Sequence, residues 1–310
     1  SYKVVNVGDF IISLRSFQGG IEYSSYKGIC SPAYIVLKPL IKINDIFFSR
    51  YFKTFSYIRE LNRKLEGIRD GKMVSYKYFS EIKLPFPSLV EQQKIAVFLA
   101  TVDTKIQQLI KKQELLGEYK KGLMQQIFSQ KFRLKAVNGS DYPDWKEKKL
   151  GDIALKGSSN ISANQLEHNN GDFKIFGASG YLKSIDFYTE ENSYIAIIKD
   201  GAGVGRVMLL EPKTSVLGTL AIIKAKLGND INFLYWLIQS VNFRKYIVGS
   251  TIPHIYFRDY QTEKVKIPSL PEQFKIASFL SSIDNKIKKV NKQLDKTKQF
   301  KKALLQQMFI

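Results

Sequence analysis

The sequence predicts an α+β protein in which two mixed α/β domains are separated by two long helices that form an antiparallel coiled coil. Three observations predict this class. A stretch that begins Pro-Ser-Leu occurs twice, at residues 87–128 and 268–309, and the two copies align without a gap. Each copy carries the apolar spacing of a coiled coil. A segment of alternating strand-like and helix-like runs precedes each copy. Because internal repeats reveal the architecture, they are interpreted before any local motif.

The repeat divides the 310 residues into five parts. We expect a first domain over residues 1–86 and a first long helix over residues 87–134. The segment 135–144 has the Asn, Gly, Ser and Pro content of a linker. A second domain is then expected over residues 145–267, and a second long helix over residues 268–310.

The second domain has the pattern of a mixed sheet followed by a helix. Short runs rich in β-branched residues are separated by Gly and Asn turns, which is typical of strands. The predicted strands are 173–177, 193–199, 206–210 and 219–226, and the predicted helix is 231–247.

The first domain is predicted to repeat the later part of the second. Strands at 9–15 and 33–39 and a helix at 45–65 match elements of the second domain in the same order. In this alignment the first residue falls opposite about position 187. The first domain is therefore expected to be incomplete, without a counterpart of residues 142–186.

Both long helices carry a start signal. Ser88 lies three residues before Glu91, and Ser269 lies three residues before Glu272. This spacing predicts a capping box, in which the two side chains satisfy free backbone amides at a helix N-terminus.

Apolar residues recur along both helices at alternating steps of four and three, and these positions form the predicted seam of the coiled coil. The seam is interrupted in the middle of each helix, and there we expect the neighbouring Tyr119 and Phe300 to take over the packing. The polar residues at these seam positions are Gln113, Lys120, Thr297 and Lys301. The alternative is two amphipathic helices, each buried against its own domain. The predicted interface consists of Ile95, Leu99, Val102, Ile106, Leu109, Leu116 and Leu123 on the first helix, and Ile276, Leu280, Ile283, Ile287, Val290, Leu294 and Leu304 on the second.

The net charge points to a polyanionic partner. Lys and Arg number 48 against 28 Asp and Glu, which gives a formal net charge of +20. Such an excess favours nucleic acid or an acidic membrane surface. The chain has no apolar run of about 18 residues, no lipidation motif and no basic amphipathic end. We therefore expect nucleic acid as the partner and no membrane.

A single cysteine, Cys30, excludes an internal disulfide, and no signal peptide precedes residue 1. Both observations favour a cytoplasmic location.

The sequence lacks the residue patterns of catalysis. A DNA methyltransferase needs an Asn-Pro-Pro-aromatic tetrapeptide, which is absent. The glycine-rich stretch 201–206 matches neither a dinucleotide-binding motif nor a phosphate-binding loop, and we interpret it as a tight turn. His168 and His254 lack the spacing of metal ligands. We expect no catalytic residues, no cofactor and no metal.

Candidates for DNA contact are polar and basic residues of the two domains, because cations bind phosphates and both amides and cations can bind base edges. Most of them lie in a polar loop at 156–174, beside the glycine-rich turn, or in the phrase at 250–260. The alternative for each is a solvated side chain without DNA contact. The candidates are Lys72, Lys77, Lys156, Ser158, Asn160, Lys174, Lys199, Arg206, His254, Tyr256 and Arg258.

Several phrases are similar to those of a known family. WKEKKLGDI (145–153) opens the second domain, and IKLPFPSLVEQQKIAVFLATVDTKI (82–106) and VKIPSLPEQFKIASFLSSIDNKI (265–287) open the two helices. The helices end in GLMQQIF and ALLQQMF. In these phrases, and over nearly its whole length, the chain resembles the specificity subunits of type I restriction–modification systems.

The resemblance implies two target-recognition domains, each of which reads one half of a split DNA sequence. It also implies a coiled coil that docks methyltransferase (modification) subunits, two in number, and through them the restriction and translocase subunits. The specificity subunit itself is then not an enzyme. Two alternatives remain open: a stand-alone DNA-binding coiled-coil protein without enzyme partners, and a methyltransferase or nuclease in its own right.

Overall fold

The computed structural model describes residues 2–13, 21–63 and 76–309. The chain folds into two compact units. Unit 1 consists of residues 1–114 and 288–310, and unit 2 consists of residues 115–287. Each unit therefore includes part of both long helices.

Unit 1 combines short antiparallel strands with short helices. Its strands are β1 (Lys3–Val5), β2 (Phe10–Ser13), β3 (Glu22–Tyr23), β4 (Gly28–Cys30) and β5 (Tyr34–Leu37). Strand β1 pairs with β4, and β2 lies between β3 and β5. The helices are α1 (Asp45–Tyr51), α2 (Phe55–Arg63), α3 (Tyr76–Ser80) and the long α4 (Leu89–Phe128), which continues into unit 2.

An aromatic core holds unit 1 together. Phe10 on β2 packs edge-to-face on Phe52, with ring centroids 5.3 Å apart. Phe47 on α1 packs in the same way on Phe48 and also contacts Phe309, at centroid distances of 5.1 Å. All five rings are buried. Aromatic side chains bury large apolar areas, so a few of them can hold together a unit built from short elements.

Unit 2 is built mainly from strands. After α4 its elements are β6 (Lys146–Lys149), α5 (Leu150–Ile153), β7 (Ala154–Ser158), β8 (Phe173–Gly177), β9 (Gly180–Ile185), β10 (Tyr194–Ile198), β11 (Val207–Leu210), β12 (Ser215–Val216), β13 (Leu220–Ala225), α6 (Ile231–Ser240), α7 (Phe257–Tyr260), β14 (Lys264–Ile267) and the start of α8 (Leu270–Gln307). A 3-10 helix at Phe243–Tyr246 follows α6.

The centre of unit 2 is a four-stranded antiparallel sheet in the order β11-β10-β13-β7. Every residue of β10 is buried, and so are the first four residues of β13. The strands are apolar on both faces because both faces are covered by other parts of the unit. One face packs against α6 and the long helices, and the other against β8 and β12.

The two helices predicted within the domains are each interrupted. The predicted helix 45–65 is α1 and α2, separated at Phe52–Thr54, where the Thr54 hydroxyl accepts a hydrogen bond from the Tyr57 amide at 3.3 Å. The predicted helix 231–247 ends at Ser240, and Asn242 begins the 3-10 helix. The prediction that each of these helices is continuous was wrong, because a capping side chain starts a new helix at each break.

Both long helices are confirmed, with lengths of 40 residues for α4 and 38 for α8. In unit 1, Leu99 near the start of α4 packs in one cluster with Leu304 near the end of α8. In unit 2, Leu123 near the end of α4 packs with Leu280 near the start of α8. The helices are therefore antiparallel in each unit, and both also pack against the core of the domain. No helix among the described residues has the length and apolarity needed to cross a membrane.

The predicted capping boxes have different outcomes. The Glu91 amide donates to the Ser88 hydroxyl at 3.3 Å, so Ser88 caps α4. The Ser269 hydroxyl is buried and has no hydrogen-bond partner within the described part of the chain, so the second capping box was wrong. There the Glu272 carboxylate instead accepts hydrogen bonds from the Arg133 guanidinium, at 2.9 and 3.3 Å.

A buried glutamine fixes each domain to the start of its long helix. The Gln273 side chain accepts from the Asp230 amide at 2.9 Å and donates to the Pro268 carbonyl at 3.1 Å. Asp230 in turn caps α6. The same bonds recur in unit 1 at 2.8 and 2.9 Å, formed by Gln92, Asn44 and Pro87. The repeated Glu-Gln phrase is therefore a structural joint, and each joint lies within its own unit.

Candidate nucleic-acid interface

Four of the candidate residues lie at one end of the four-stranded sheet of unit 2. Lys199 directly follows β10, and Arg206 directly precedes β11. Ser158 ends β7, and Asn160 comes two residues later. Because neighbouring strands run in opposite directions, these strand ends meet at the same end of the sheet. We call Ser158, Asn160, Lys199 and Arg206 the basic end of the sheet.

The glycine-rich stretch between Lys199 and Arg206 is a tight turn, as predicted from the sequence. The Gly205 amide donates to the Ile198 carbonyl at 2.9 Å, and Gly201 and Gly205 have φ values of +89° and +83°. Side chains are disfavoured at such angles. A Cβ on Gly205 would also lie 3.0 Å from Cβ of Phe243. The turn is therefore a rigid connection that presents the exposed Arg206.

The phrase 250–260 joins this end of the sheet. Val248 and His254 exchange two backbone hydrogen bonds of 2.9 Å, which close a loop over residues 249–253. The Gly201 amide donates to the Pro253 carbonyl at 2.9 Å. The structure thus brings together two candidate groups that lie about 50 residues apart in the sequence.

His254, Tyr256 and Arg258 form a row of side chains that begins at this loop. The rings of His254 and Tyr256 pack edge-to-face with centroids 5.3 Å apart. The Arg258 guanidinium lies 4.9 Å from the centroid of the Tyr256 ring, a cation–π contact. Tyr256 and Arg258 are exposed and His254 is half-buried, so the row is accessible to a ligand.

Carboxylates neutralise part of the charge at this surface. Lys199 Nζ lies 2.8 Å from an oxygen of Asp200, and Arg258 Nε lies 3.6 Å from Asp259. Arg206 has no carboxylate within ion-pair distance in the described part of the chain, and its guanidinium makes a 3.4 Å hydrogen bond to the Ala178 carbonyl. Arg206 is therefore the candidate cation with most of its donors available to a phosphate.

A further ion pair, together with a hydrogen bond, connects the elements on either side of the 249–253 loop. Lys245 Nζ lies 2.5 Å from the Glu263 carboxylate, to which the Tyr246 hydroxyl also donates. Burial by itself would raise the pKa of Glu263, but the hydrogen bonds from Lys245 and Tyr246 hold that pKa below its ordinary value. The carboxylate is charged at neutral pH and ties the 3-10 helix to the segment before β14.

The other candidates do not join this surface. Lys156 is exposed on β7, further from its end. Lys174 on β8 forms a 3.4 Å ion pair with Glu211, which follows β11 and so lies at the opposite end of the sheet. Lys77 is exposed on α3 of unit 1, and Lys72 lies outside the described residues.

Sequence reasoning missed the tip of the loop. Thr251 and Ile252 are both exposed there, although neither is a residue type that marks a DNA contact. Gly249, which adopts a φ of +88°, was the available signal for a tight loop.

The part of this surface that the structure describes has no cluster of potential metal ligands. Across residues 2–13, 21–63 and 76–309, no three His, Cys, Asp or Glu side chains come together as metal ligands. His254 Nδ1 lies 2.9 Å from the Ile252 carbonyl oxygen, so this ring nitrogen is occupied by the loop backbone. The surface has the groups for binding an anion.

The predicted interface residues of the long helices all lie in protected positions. Ten are buried: Leu99, Val102, Ile106, Leu109, Leu123, Ile276, Leu280, Ile283, Val290 and Leu294. The remaining four are half-buried: Ile95, Leu116, Ile287 and Leu304.

The two lysines at polar seam positions form ion pairs. In unit 2, Lys120 Nζ lies 2.6 Å from an oxygen of Asp284 and 4.7 Å from the centroid of the Trp236 ring. In unit 1, Lys301 forms an ion pair with Asp103. Lys301 and Asp103 are the repeat equivalents of Lys120 and Asp284, so the same pair recurs in each unit.

The expectation that Tyr119 and Phe300 replace the lysines was wrong. Their side chains are 55% and 51% exposed. The lysines themselves keep the seam positions, because a carboxylate on the partner helix compensates their charge.

Comparison with known proteins is consistent with this architecture. The family model for the type I restriction modification DNA specificity domain matches residues 2–116 and 142–299. The specificity subunit of the type I restriction enzyme MjaVIII from Methanocaldococcus jannaschii is 26% identical to this chain, and the alignment covers 97% of this chain and 78% of that relative. The EcoDI specificity subunit of Escherichia coli is 27% identical over 52% of this chain and 37% of that subunit.

Two solved structures share the fold. The S subunit of a type I restriction-modification system from M. genitalium matches 100% of this chain and 84% of its own, with a TM-score of 0.65 and 17% identity. The second is described as the structural basis underlying complex assembly and conformational transition of the type I R-M system. The match covers 99% of this chain and 83% of that chain, with a TM-score of 0.58 and 17% identity. These matches confirm the fold class predicted from the sequence.

Proposed function

This chain belongs to the type I restriction–modification DNA specificity family, and we propose that its two units recognise the two halves of a split double-stranded DNA target. In this proposal the basic end of the sheet in unit 2, together with the 249–253 loop, is the DNA-contacting surface of that unit. The chain contributes recognition, and catalysis belongs to partner subunits.

The observation that carries the proposal is the convergence at the basic end of the sheet. Lys199 and Arg206 come from the two ends of one turn, and His254 and Tyr256 come from a distant segment that bonds to that turn. Cations and aromatic or hydroxyl side chains on one exposed surface suit a ligand that has both phosphates and base edges. The net charge of +20 attracts DNA to the molecule as a whole.

Partner subunits are part of the same proposal. We propose that the long helices dock methyltransferase subunits, two in number, and that restriction and translocase subunits join through them. The name of one fold relative refers to complex assembly in a type I system, which supports an assembled state for this chain as well. Co-purification of the chain with its cognate methyltransferase subunit tests this. A chain that binds a specific DNA target but retains no methyltransferase would favour the stand-alone DNA-binding alternative.

A matched pair of variants tests the location of the DNA surface. Arg206→Gln removes the cation at the basic end, and Lys174→Gln removes an exposed cation on β8 that pairs with Glu211 at the opposite end of the four-stranded sheet. We expect Arg206→Gln to weaken binding of double-stranded DNA and to reduce the log–log salt slope by about 1, because one phosphate contact is lost. Lys174→Gln should leave both quantities unchanged.

The readout is the dissociation constant for a DNA duplex measured at several salt concentrations. Equal effects of the two substitutions would show that the surface lies elsewhere. Binding that does not depend on salt would contradict a phosphate-dominated interface.

A further inference from the structure

The 249–253 loop presents an apolar side chain in basic surroundings. Ile252 at its tip is 63% exposed, and Ser250 and Thr251 beside it are exposed as well. A single exposed aliphatic side chain is common on protein surfaces and by itself indicates nothing. The geometry of the loop and its charged neighbours make this one informative.

The backbone holds the loop in one shape. The two hydrogen bonds between Val248 and His254 close its base, and the bond from Gly201 to Pro253 ties it to the turn at the basic end. A Cβ on Gly249 would lie 2.6 Å from the Ile252 carbonyl oxygen and 2.9 Å from Cε1 of His254. This crowding and the positive φ make glycine necessary, so the position of Ile252 is built into the backbone.

Cations lie near the base of the loop. Lys199 and Arg206 flank the turn to which the loop is bonded, and Arg258 ends the row of side chains that starts at His254. Two carboxylates, Asp200 and Asp259, pair with Lys199 and Arg258. Arg206 remains without a carboxylate partner in the described part of the chain. An exposed loop with cations at its base is complementary to a DNA groove between two phosphate backbones.

We propose that the 249–253 loop is the element of unit 2 that enters a groove of double-stranded DNA, and that Thr251 and Ile252 determine the base preference there. The inference rests on the proposed function and names the side chains that carry it out. An aliphatic side chain can contact the methyl group of thymine in the major groove, and a hydroxyl can donate to or accept from a base edge. The cations bind phosphates, which position the protein but carry no sequence information.

This division of roles gives two different expected effects. Arg206→Gln weakens binding to all sequences alike. Ile252→Ala and Thr251→Ala leave the affinity for unrelated DNA unchanged but reduce the preference for particular bases. Gly249→Ala keeps both tip side chains and displaces them, so it should reduce the base preference in the same way.

The experiment is selection of bound duplexes from a pool of randomised double-stranded DNA by the full chain, followed by sequencing. We expect the wild-type chain to enrich a motif. In Ile252→Ala and Thr251→Ala the preference at one or two positions of one half-site should fall by roughly fivefold or more, the lower end of the range for one base contact. Leu227→Ala is the control, since Leu227 is a fully exposed aliphatic residue of unit 2 in the turn after β13, away from the basic end. Thermal unfolding followed by fluorescence confirms that each variant is folded.

The outcomes separate the inference from the proposed function. If the wild-type chain enriches a motif and the loop variants enrich it equally well, the loop inference is overturned and the proposed function stands. If Leu227→Ala alters the motif as much as Ile252→Ala does, the assignment to the loop is overturned too. If the wild-type chain enriches no motif, the proposed function fails, and the loop inference fails with it.

Discussion

The ion pair in the seam of unit 2 should stabilise the fold as a pair and not through either residue alone. Lys120 Nζ lies 2.6 Å from an Asp284 oxygen, and the two side chains are 20% and 22% exposed. Two unit charges about 4 Å apart attract by about 4 kcal/mol at an effective dielectric constant of about 20. The cost of removing both groups from water offsets most of this attraction.

Removal of Asp284 leaves the largely buried Lys120 ammonium without its carboxylate, and removal of Lys120 takes from Asp284 the cation of the partner helix. For fully buried pairs this costs about 3–5 kcal/mol. Because one fifth of each side chain remains in contact with water, we expect a loss of about 2 kcal/mol in the free energy of unfolding for Lys120→Met and for Asp284→Leu. The double variant replaces the pair with apolar groups and should lie within about 1 kcal/mol of the wild-type chain. The coupling energy is then about 3 kcal/mol or more, at or above the upper end of the range for residues in contact.

Tryptophan fluorescence during urea unfolding is the appropriate assay. Both tryptophans, Trp145 and Trp236, belong to unit 2, so the signal reports on that unit. Lys135→Met with Asp141→Leu is the matched control, because this pair has the same N–O distance of 2.6 Å but its side chains are 60% and 72% exposed. Its unfolding midpoint should not change. Single-variant losses that simply add in the double variant would refute the reasoning.

Three further predictions concern the scaffold. Leu99→Asp and Ile283→Asp each place a carboxylate at a buried seam position, and each should lower the free energy of unfolding by several kcal/mol; an unchanged midpoint by circular dichroism would show that these positions face solvent. Gln273→Leu leaves the amide of Asp230, the N-cap residue of α6, and the buried Pro268 carbonyl without partners. It should cost about 1–3 kcal/mol by tryptophan fluorescence, whereas Gln126→Leu on the exposed face of α4 should not. Because the folded-state pKa of Glu263 is lowered, its stabilising effect is present above the unfolded pKa of about 4.3 and is lost as the pH falls through the folded-state value. The loss in the free energy of unfolding caused by Glu263→Gln should therefore disappear in acid. A loss that does not depend on pH would contradict the ion pair.

The repeated scaffold could be predicted because its signals are local and occur twice. Apolar spacing predicted both long helices, which begin two residues after the predicted starts but end at residues 128 and 307, before the predicted ends at 134 and 310. The seam positions also followed from the spacing, since a heptad pattern relates directly to one face of a helix. The role of Gln92 and Gln273 was not predicted, because a glutamine that binds two backbone groups has no distinguishing pattern in the sequence.

The helix breaks and the seam interruptions required tertiary information. Thr54 and Asn242 start new helices, but Thr and Asn also occur inside helices, so sequence alone did not separate the two cases. At Lys120 and Lys301 a hydrophobic neighbour was expected to replace the charge. The carboxylate that compensates each lysine lies far away in the sequence, on the other long helix.

The candidate site could be predicted by residue type but not by grouping. Lys199, Arg206 and His254 were selected as polar or basic residues in loops, and the strand order brings them to one end of the sheet. Lys174 has the same sequence character and lies at the opposite end. Strand order depends on long-range pairing, which no local pattern encodes. The tip of the loop was not selected either, because Ile252 is apolar and no local pattern shows that it lies close to these cations.

Identical and differing residues in the two copies indicate how recognition is divided between the units. Asp103 and Lys301 in unit 1 repeat the ion pair of Asp284 and Lys120 in unit 2, so the duplicated residues maintain the helix pairing. The residues that contact these pairs from the domains differ: Arg50 of α1 forms an ion pair with Asp103, whereas Trp236 of α6 packs against Lys120. The same ion pair between the long helices therefore packs against a different domain surface in each unit. Under the proposal that base preference resides in domain loops and not in the scaffold, we expect the two half-sites of the DNA target to have different sequences.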